Sequence, residues 1–278
     1  MAAMDKRLAR RLGLAGKYVL LLALMVVFVG PFFWLLSISL RGSGNIYSLR
    51  LIPEDPTFRN YTETWKNFGL WRPFVNSVFV AVFTLVLNIL FCSMAAYPLA
   101  RLEFPGRQII FFLILSTMMI PFQLFMIPLY VICLNLGLSN TLWGIILPAS
   151  VGAFGIFLIR QYYQTIPRSL EEAARIDGAG EFGIWWRIMF PLTKPAIATL
   201  AIFIFVGNWS NFLWPLIIVN DERKFTLPVA IATLSGTFVD KTQYLAAGSI
   251  IAITPVIVVF LLMQRYFISG INLGAVKG

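Results

Sequence analysis

Five long stretches of the sequence contain no charged residue, and they constrain the fold more than any other feature. They cover residues 18–40, 73–100, 108–159, 195–220 and 242–264. A helix that crosses the hydrocarbon core of a bilayer needs about 20 apolar residues, so four of these stretches each fit one span. The third stretch has 52 residues. Its turn-rich segment Asn135-Leu-Gly-Leu-Ser-Asn140 divides it into two spans.

The sequence therefore predicts an all-α integral membrane protein with six transmembrane helices in a single domain, residues 1–278. The predicted spans are approximately 18–40, 74–100, 109–134, 141–159, 196–219 and 243–264. The composition agrees, because 59% of the residues are apolar and 12% charged, whereas soluble domains have about 45–50% and about 25%. The first apolar run is longer than that of a signal peptide and lacks a cleavage site, so we expect an uncleaved helix.

The distribution of Lys and Arg predicts the orientation in the membrane. With the N-terminus inside, 14 of the 22 Lys and Arg residues fall in cytoplasmic segments and 8 fall outside. This excess predicts a multi-pass protein of the cytoplasmic (inner) membrane with both termini in the cytoplasm. The net charge of +10 is then a topology signal. We expect a lipid bilayer around the chain and no nucleic-acid partner.

Several features that enzymes and ion carriers need are missing from the sequence. It has no histidine, and its two cysteines, Cys92 and Cys133, stand alone in apolar runs. We therefore expect no metal site and no catalytic role, although a membrane-embedded enzyme is one alternative. The predicted spans carry no ionisable residue, and the chain has no phosphate-binding P-loop motif. Uphill transport would need a separate ATPase; the other alternative is an ATP-independent channel or facilitator.

Uncharged polar residues within the spans are candidates for a solute path. The most distinctive run is Gly207-Asn-Trp-Ser-Asn-Phe-Leu-Trp-Pro215. Amides can bind sugar hydroxyls and indoles can stack on sugar faces, so the run suits an uncharged polyhydroxylated solute. Tryptophan is equally typical of the membrane interface, and polar residues also join helices, so these readings stay open. The candidates are Asn208, Trp209, Asn211, Asn88 and Gln123.

Three of the prolines in the predicted spans are candidate kink sites. Pro121 and Pro128 lie in the third, and Pro98 lies near the end of the second. Each proline removes a backbone donor and can kink a helix. The kinks could form a gate or serve packing alone.

The loop over residues 160–195 is the one long polar segment assigned to the cytoplasm. Ser169 and Glu172 have the spacing of a capping box, which predicts a helix from about Leu170 to Asp177. Gly178 fits the position after the helix, where a positive φ is needed. Leu170, Ala173 and Ala174 would form a small apolar face. A second amphipathic piece presents Phe182, Trp185, Trp186 and Met189.

Residues 172–191 resemble the EAA loop of ABC importer permeases, whose pattern is E-A-A, three residues, G, nine residues and I-x-L-P. The matching residues are Glu172, Ala173, Ala174, Gly178, Ile188 and Pro191. Phe190 stands in place of the Leu.

The resemblance extends over almost the whole chain, towards the carbohydrate-uptake branch that includes maltose-type permeases. Further matching stretches are Thr57–Tyr61, Asn76-Ser77, Ala95–Arg101, Ile120-Pro121, Asp177–Ala179 and Gly270–Gly278. Span five departs from the family's W-N-[D/E]-F-x-x-P-L run, because Ser210 and Asn211 occupy the polar positions.

The resemblance implies a permease subunit that imports a carbohydrate or glycoside. A glycerol phosphate is an alternative solute, because related permeases carry such compounds. The implied partners are a second homologous permease, a dimeric ATPase that binds ATP and Mg²⁺, and an external solute-binding protein. No cofactor is expected in this chain. The EAA loop would form a coupling helix that docks in a cleft of the ATPase. The docking residues would be Glu172, Ala173, Ala174 and Gly178, with Arg168, Arg175 and Asp177 as polar contacts at the rim.

Overall fold

A computed structural model describes residues 2–42, 51–237 and 242–275, and the side chains of residues 13–42, 51–233 and 242–264. In this part of the chain every regular element is helical apart from one β-bridge between Arg41 and Pro56. The α-helices are α1 Ala2–Ser39, α2 Arg59–Asn67, α3 Trp71–Arg101, α4 Arg107–Ser116, α5 Phe122–Asn135, α6 Trp143–Ala149, α7 Ala153–Thr165, α8 Ser169–Ile176, α9 Glu181–Ile184, α10 Phe190–Leu192, α11 Lys194–Trp209, α12 Leu213–Ile218, α13 Leu227–Thr237 and α14 Thr242–Ala275. Two 3₁₀ turns, Thr117–Met119 and Glu222–Lys224, and a π-helical turn, Trp185–Met189, lie between them.

Three helical segments are long and apolar enough to cross a membrane unaided. They are Gly13–Ser39, Trp71–Arg101 and Thr242–Gln264. Three further candidates are bent pairs: Arg107–Met119 with α5 at 104°, α6 with α7 at 41°, and Glu181–Leu192 with α11 at 77°. The chain is thus an all-helical membrane protein with three to six candidate spans. The count of six stays a prediction.

The third predicted span, 109–134, is broken where a single kinked helix was expected. Helix α4 ends at Ser116 and α5 begins at Phe122. Pro121 lies at the N-cap of α5 with φ −57° and ψ 134°, and it has no N–H with which to continue the helix. Pro128 lies inside α5, so only the first of the two prolines coincides with the break.

The fifth predicted span, 196–219, is also interrupted. Helix α11 ends at Trp209, and α12 begins at Leu213. Pro215, in the first turn of α12, has no N–H for the carbonyl of Asn211, which removes one of the hydrogen bonds that would continue α11 into α12. The break falls within the Asn-rich and Trp-rich run that the sequence singled out.

The chain divides into two compact units, of which the first comprises residues 1–69 and 234–251. Within it, the Asn60 side chain is 4% exposed and ties down the end of α1. Its amide nitrogen donates to the carbonyls of Ser39 at 2.9 Å and Arg41 at 2.8 Å. Ser39 is the last residue of α1 and Arg41 lies two residues beyond it, so the amide donates to carbonyls at the position where the helix ends.

The second unit comprises residues 70–233 and 252–278, and α3 is its central helix. The core formed by α3, α7 and α11 includes Cys92, Tyr163 and Leu200, which are fully buried. Helices α3 and α7 approach closely at Gly155, where an added Cβ would lie 2.7 Å from the Cys92 Sγ atom. A small residue at a helix contact allows this approach.

Contacts along α3 and α7 show that the two helices run in the same direction. Cys92 meets Gly155, the Tyr97 and Tyr163 rings lie 6.2 Å apart, and Arg101 donates to the carbonyl that follows α7. Helix α11 runs the opposite way, because Trp209 at its end packs on Phe74 in the first turn of α3. These directions match those expected for the second, fourth and fifth spans.

The predicted turn at residues 135–140 is confirmed. Gly137 and Asn140 have φ of 69° and 55°, in the left-handed region that Gly and Asn tolerate best. The Asn140 Oδ1 atom accepts from the backbone N–H groups of Asn220 at 3.2 Å and Asp221 at 3.0 Å. This turn is therefore joined to the segment that follows α12.

Asn76 and Ser77 in α3 hold the segment before α13. The Asn76 amide nitrogen donates to the carbonyls of Arg223 and Phe225, each at 3.0 Å. The Ser77 hydroxyl accepts from the Leu227 N–H at 2.7 Å. The second unit thus has one end formed by these turns, while its opposite end carries Arg101 and α8.

Candidate functional site

Helix α8 forms most of the candidate coupling surface, and it begins one residue earlier than expected. The prediction of Ser169 at the N-cap was wrong, because Arg168 takes that place and makes no side-chain capping bond. Arg168 already has helical dihedral angles, φ −64° and ψ −28°, so Ser169 is the first helical residue. Glu172 therefore has no capping box to complete.

The predicted end of α8 is confirmed. Gly178 has φ 80°, and its N–H donates to the Arg175 carbonyl at 3.1 Å. The Ala179 N–H donates to the Ala174 carbonyl at 2.9 Å. This pair of bonds is a Schellman motif, which closes a helix with a glycine in the left-handed region.

Most of the predicted docking residues lie at the surface. The exposed ones are Arg168, Glu172, Ala173, Arg175, Asp177 and Gly178. Ala174 is 8% exposed and packs into the core, so of the predicted apolar face only this residue is buried. Leu170 is 43% exposed and Ile176 is 87% exposed. The exposed surface of α8 therefore combines apolar, acidic and basic side chains.

A residue that sequence reasoning missed, Glu171, fixes α8 to the end of α3. Its side chain is 3% exposed, and its Oε1 atom lies 2.8 Å from the Nε atom of Arg101, whose side chain is 4% exposed. The pair makes a close charge contact without the alignment of a hydrogen bond. A second Arg101 nitrogen donates to the Ile166 carbonyl at the end of α7.

The contact between Glu171 and Arg101 belongs to a larger network that we call the charged ring, formed by Tyr97, Arg101, Glu171, Arg175 and Glu181. Arg175 Nη2 lies 3.6 Å from Glu171 Oε2. Arg175 Nε and Nη2 donate to the two Glu181 carboxylate oxygens at 2.8 and 3.2 Å. The Tyr97 hydroxyl donates to Glu181 Oε2 at 2.6 Å, which returns the ring to α3.

Burial changes the titration of Glu171. Loss of hydration raises the pKa of its carboxyl above the ordinary value, while the guanidinium groups of Arg101 and Arg175 act in the opposite direction. A buried ion pair of this kind contributes little net stability, because desolvation offsets the attraction. It can still fix the position of one helix against another.

Arg160 forms a second link between the ends of α3 and α7. It is 5% exposed, and its Nε atom donates to the Leu99 carbonyl at 2.9 Å. Its guanidinium carbon lies 3.9 Å from the centre of the Phe111 ring in α4, a cation–π contact. Arg101 in α3 thus donates to the Ile166 carbonyl just after α7, and Arg160 in α7 donates to the Leu99 carbonyl in α3.

The second amphipathic piece of the loop presents only two of the four large side chains that the sequence singled out. Trp185 and Met189 are buried, whereas Phe182 is 69% and Trp186 is 47% exposed. These side chains lie around the π-helical turn Trp185–Met189, and π-helical turns are frequent at functional sites. An apolar cavity of about 310 Å³ lies beside this turn. Its lining is Leu90, Phe91, Met94, Phe182, Trp185 and Trp186.

Two of the five predicted solute-path residues have buried side chains. Asn88 is 1% exposed and donates to the Ala149 carbonyl at 3.0 Å, where α6 ends before the bend to α7. Trp209 is 3% exposed, and its Nε1 atom donates to the Ala252 carbonyl at 2.7 Å. Its ring stacks on Phe205 with centroids 5.6 Å apart.

The other three solute-path residues are accessible. Asn208 and Asn211 are half-buried at the end of α11, and Gln123 is exposed in the first turn of α5. The Asn208 amide nitrogen donates to the Ile204 carbonyl at 2.9 Å, which leaves its side-chain oxygen as an acceptor. Each of the three residues lies beside a helix break.

Comparison with known proteins gives a consistent result. Residues 88–272 match the family model of the binding-protein-dependent transport system inner membrane component. The chain is 40% identical over 266 residues to the arabinooligosaccharides transport system permease protein AraQ of Bacillus subtilis (strain 168), with 94% of each chain covered. It is 38% identical over 251 residues to the melibiose/raffinose/stachyose import permease protein MelC of the same strain, covering 89% of this chain and 91% of MelC.

A solved structure has the same fold. It is the crystal structure of a bacterial ABC transporter involved in the import of the acidic polysaccharide alginate. The TM-score is 0.84 at 28% sequence identity, and the match covers 93% of this chain and 98% of that one.

Proposed function

The chain belongs to the family of binding-protein-dependent transport system inner membrane components and is a non-catalytic permease subunit of an ABC sugar importer, and from this premise we propose that α8 receives the force of ATP hydrolysis. A separate ATPase dimer binds ATP and Mg²⁺, and this chain needs no cofactor. Family membership favours the importer over the ATP-independent facilitator and the membrane-embedded enzyme.

The observation that carries the proposal is the free surface of α8. Ala173 and Gly178 offer no bulk, Leu170 and Ile176 offer exposed apolar area, and Glu172 and Asp177 offer charge at its edges. A short, closed helix with small residues on its outer face fits a cleft in another protein. The exposed guanidinium groups of Arg168 and Arg175 would contact the rim of that cleft.

The orientation follows from the same proposal. Residues 101–107 and α8 lie at one end of the second unit, and the excess of Lys and Arg predicts that this end faces the cytoplasm. Both termini would then be cytoplasmic, with six spans between them. Closure of the ATPase pair would push α8, and rocking of the spans would open the path to the other side. A second homologous permease completes the path, and an external solute-binding protein delivers the sugar.

We further propose that the solute is a neutral oligosaccharide. The six predicted spans carry no charged residue that could balance a charged solute. AraQ and MelC are named for arabinooligosaccharides and for melibiose, raffinose and stachyose. Asn208, Asn211 and Gln123 would contact the hydroxyl groups, while Trp209 and Asn88 would hold the adjoining helices in place.

Docking can be tested with bulky substitutions on α8. We expect Ala173→Trp to prevent co-purification of the ATPase and to abolish sugar uptake by the reconstituted complex. Leu136→Trp is the matched control, because Leu136 is 66% exposed and belongs to the confirmed turn at the opposite end. Normal association and uptake with Ala173→Trp would refute the docking role.

The solute path is tested separately. Single substitutions Asn208→Ala, Asn211→Ala and Gln123→Ala should lower uptake while the complex still assembles. Trp209→Phe keeps a smaller aromatic ring but removes the Nε1 donor to the Ala252 carbonyl, so it should impair uptake through local geometry. Wild-type uptake in all four variants would remove this region from the path.

A further inference from the structure

The charged ring joins α8 to α3 through the protein interior, and its geometry extends the proposed function. Glu171 is on α8, whereas Arg101 and Tyr97 are on α3, one helical turn apart. Glu181 closes the ring at the start of α9. Two guanidinium groups and two carboxylates give the ring no net formal charge. Three segments of chain are therefore held by one set of directional contacts.

The buried part of the ring is suited to hold a fixed distance. The Glu171 and Arg101 side chains are 3% and 4% exposed, so water does not compete for them. Arg101 is anchored in addition at the Ile166 carbonyl, which ends α7. Apolar side chains can slide past each other, whereas separating this buried charge pair would leave two unpaired charges in the interior, so the pair holds α8 close to α3.

We propose that Glu171 and Arg101 are positioning residues for transport, because they make α8 and α3 move as one body when the ATPase acts on α8. The inference rests on the proposed docking of α8. Glu171 itself faces the interior, so the proposed docking does not need it as a contact residue, in contrast to the exposed neighbour Glu172. Helix α3 carries Asn88 and much of the core of the second unit, so it can pass the movement on to α7 and α11.

The main experiment measures sugar transported per ATP hydrolysed by the complete complex in vesicles. We expect Glu171→Leu to keep the ATPase bound and hydrolysing ATP, while transport per ATP falls by about 2- to 30-fold, the range for residues that carry coupling between sites. An unchanged ratio would overturn the proposal. If the wild-type complex itself fails to bind the ATPase, the proposed function fails, which is a distinguishable result.

A double variant separates positioning from stability. Arg101→Met with Glu171→Leu replaces the buried pair by apolar side chains, which proteins often accept without loss of stability. We expect the double variant to unfold at a temperature closer to that of the wild type than Glu171→Leu does, while transport per ATP stays low. Recovery of both quantities would show that the pair serves only the fold. Val229→Ala, a fully buried change in α13 outside the core formed by α3, α7 and α11, should lower the unfolding temperature without altering the ratio.

A distance measurement decides the case if these variants do not assemble. Spin labels on Ser169→Cys in α8 and Met94→Cys in α3 can be attached selectively, since both positions are exposed and the native Cys92 and Cys133 are buried. In the otherwise unaltered complex, the label distance should be the same with and without ATP. A shift larger than the width of the distribution would contradict movement as one body.

Discussion

Gly178 can play two roles, as the residue that closes α8 and as an open surface for the ATPase, and substitutions can separate them. The residue has φ 80°, and an added Cβ would meet no neighbouring atom within 4 Å among the residues that the structure describes. Alanine therefore causes no internal clash. The substitution lowers the free energy of unfolding only because alanine disfavours the left-handed backbone, by about 1–2 kcal/mol. Asparagine tolerates this backbone better, so its cost should be less than about 1 kcal/mol.

Docking should not distinguish the two variants in this way. The side chain of either Ala or Asn at position 178 would occupy space that the wall of the ATPase cleft needs. Overpacking a well-fitted contact costs about 1–3 kcal/mol, which weakens association by about 5- to 150-fold. We expect both Gly178→Ala and Gly178→Asn to weaken ATPase binding by such a factor. Only the alanine variant should unfold at a clearly lower temperature, by about 2–4 °C per kcal/mol.

The assay combines ATPase affinity, stimulated ATP hydrolysis and thermal unfolding of the purified complex. Gly137 supplies the matched control, since it has φ 69° and an added Cβ there also meets nothing within 4 Å. Gly137→Ala should lower the unfolding temperature similarly and leave ATPase affinity unchanged. If Gly178→Asn binds the ATPase and transports sugar as the wild type does, Gly178 only closes the helix and the docking argument is refuted.

Further predictions concern packing, an outer turn and pH. Gly155→Ala should lower stability by about 1–3 kcal/mol through its clash with Cys92 Sγ, and thermal unfolding should show that Cys92→Ala restores much of this loss. Asn76→Ala removes two hydrogen bonds to the segment before α13, so limited proteolysis there should accelerate; unaltered cleavage would count against this account. Burial raises the pKa of the Glu171 carboxyl in the folded protein above the ordinary value of the unfolded chain. The resulting contribution to the free energy of unfolding is complete below the ordinary pKa and is lost as the pH rises through the raised value. The unfolding temperature of Glu171→Gln relative to wild type should therefore rise as the pH increases from the ordinary pKa of a glutamic acid through the raised value, and a pH-independent difference would contradict it.

The sequence was informative wherever a property depends on neighbouring residues. Charge-free stretches located the candidate spans, and Asp177-Gly178 located the end of α8, because both signals are local. The start of α8 was misplaced by one residue, since Ser169 and Arg168 can each precede a helix and only the backbone decides between them. The break at Pro121 was expected as a kink, because the sequence does not give the size of a bend.

The charged ring was beyond sequence reasoning for a different reason. Arg101 and Glu171 are separated by 69 other residues, and nothing local indicates that they meet. Glu172 belongs to the E-A-A pattern and is exposed, whereas the adjacent Glu171 lies in the interior. A basic residue that ends an apolar span, together with an acidic residue on a nearby short helix, is the signal that could have raised the pairing as a hypothesis.

The 104° bend between α4 and α5 has a consequence for how the chain enters the membrane during synthesis. Helix α4 has 10 residues and α5 has 14, which correspond to about 15 and 21 Å at about 1.5 Å per residue. Neither length reaches the roughly 30 Å of the hydrocarbon core. The backbone groups left without α-helical partners between the 3₁₀ turn Thr117–Met119 and α5 cannot face lipid alone. We therefore expect the insertion machinery to retain this hairpin until later helices emerge and cover it, so that it is released as part of a group.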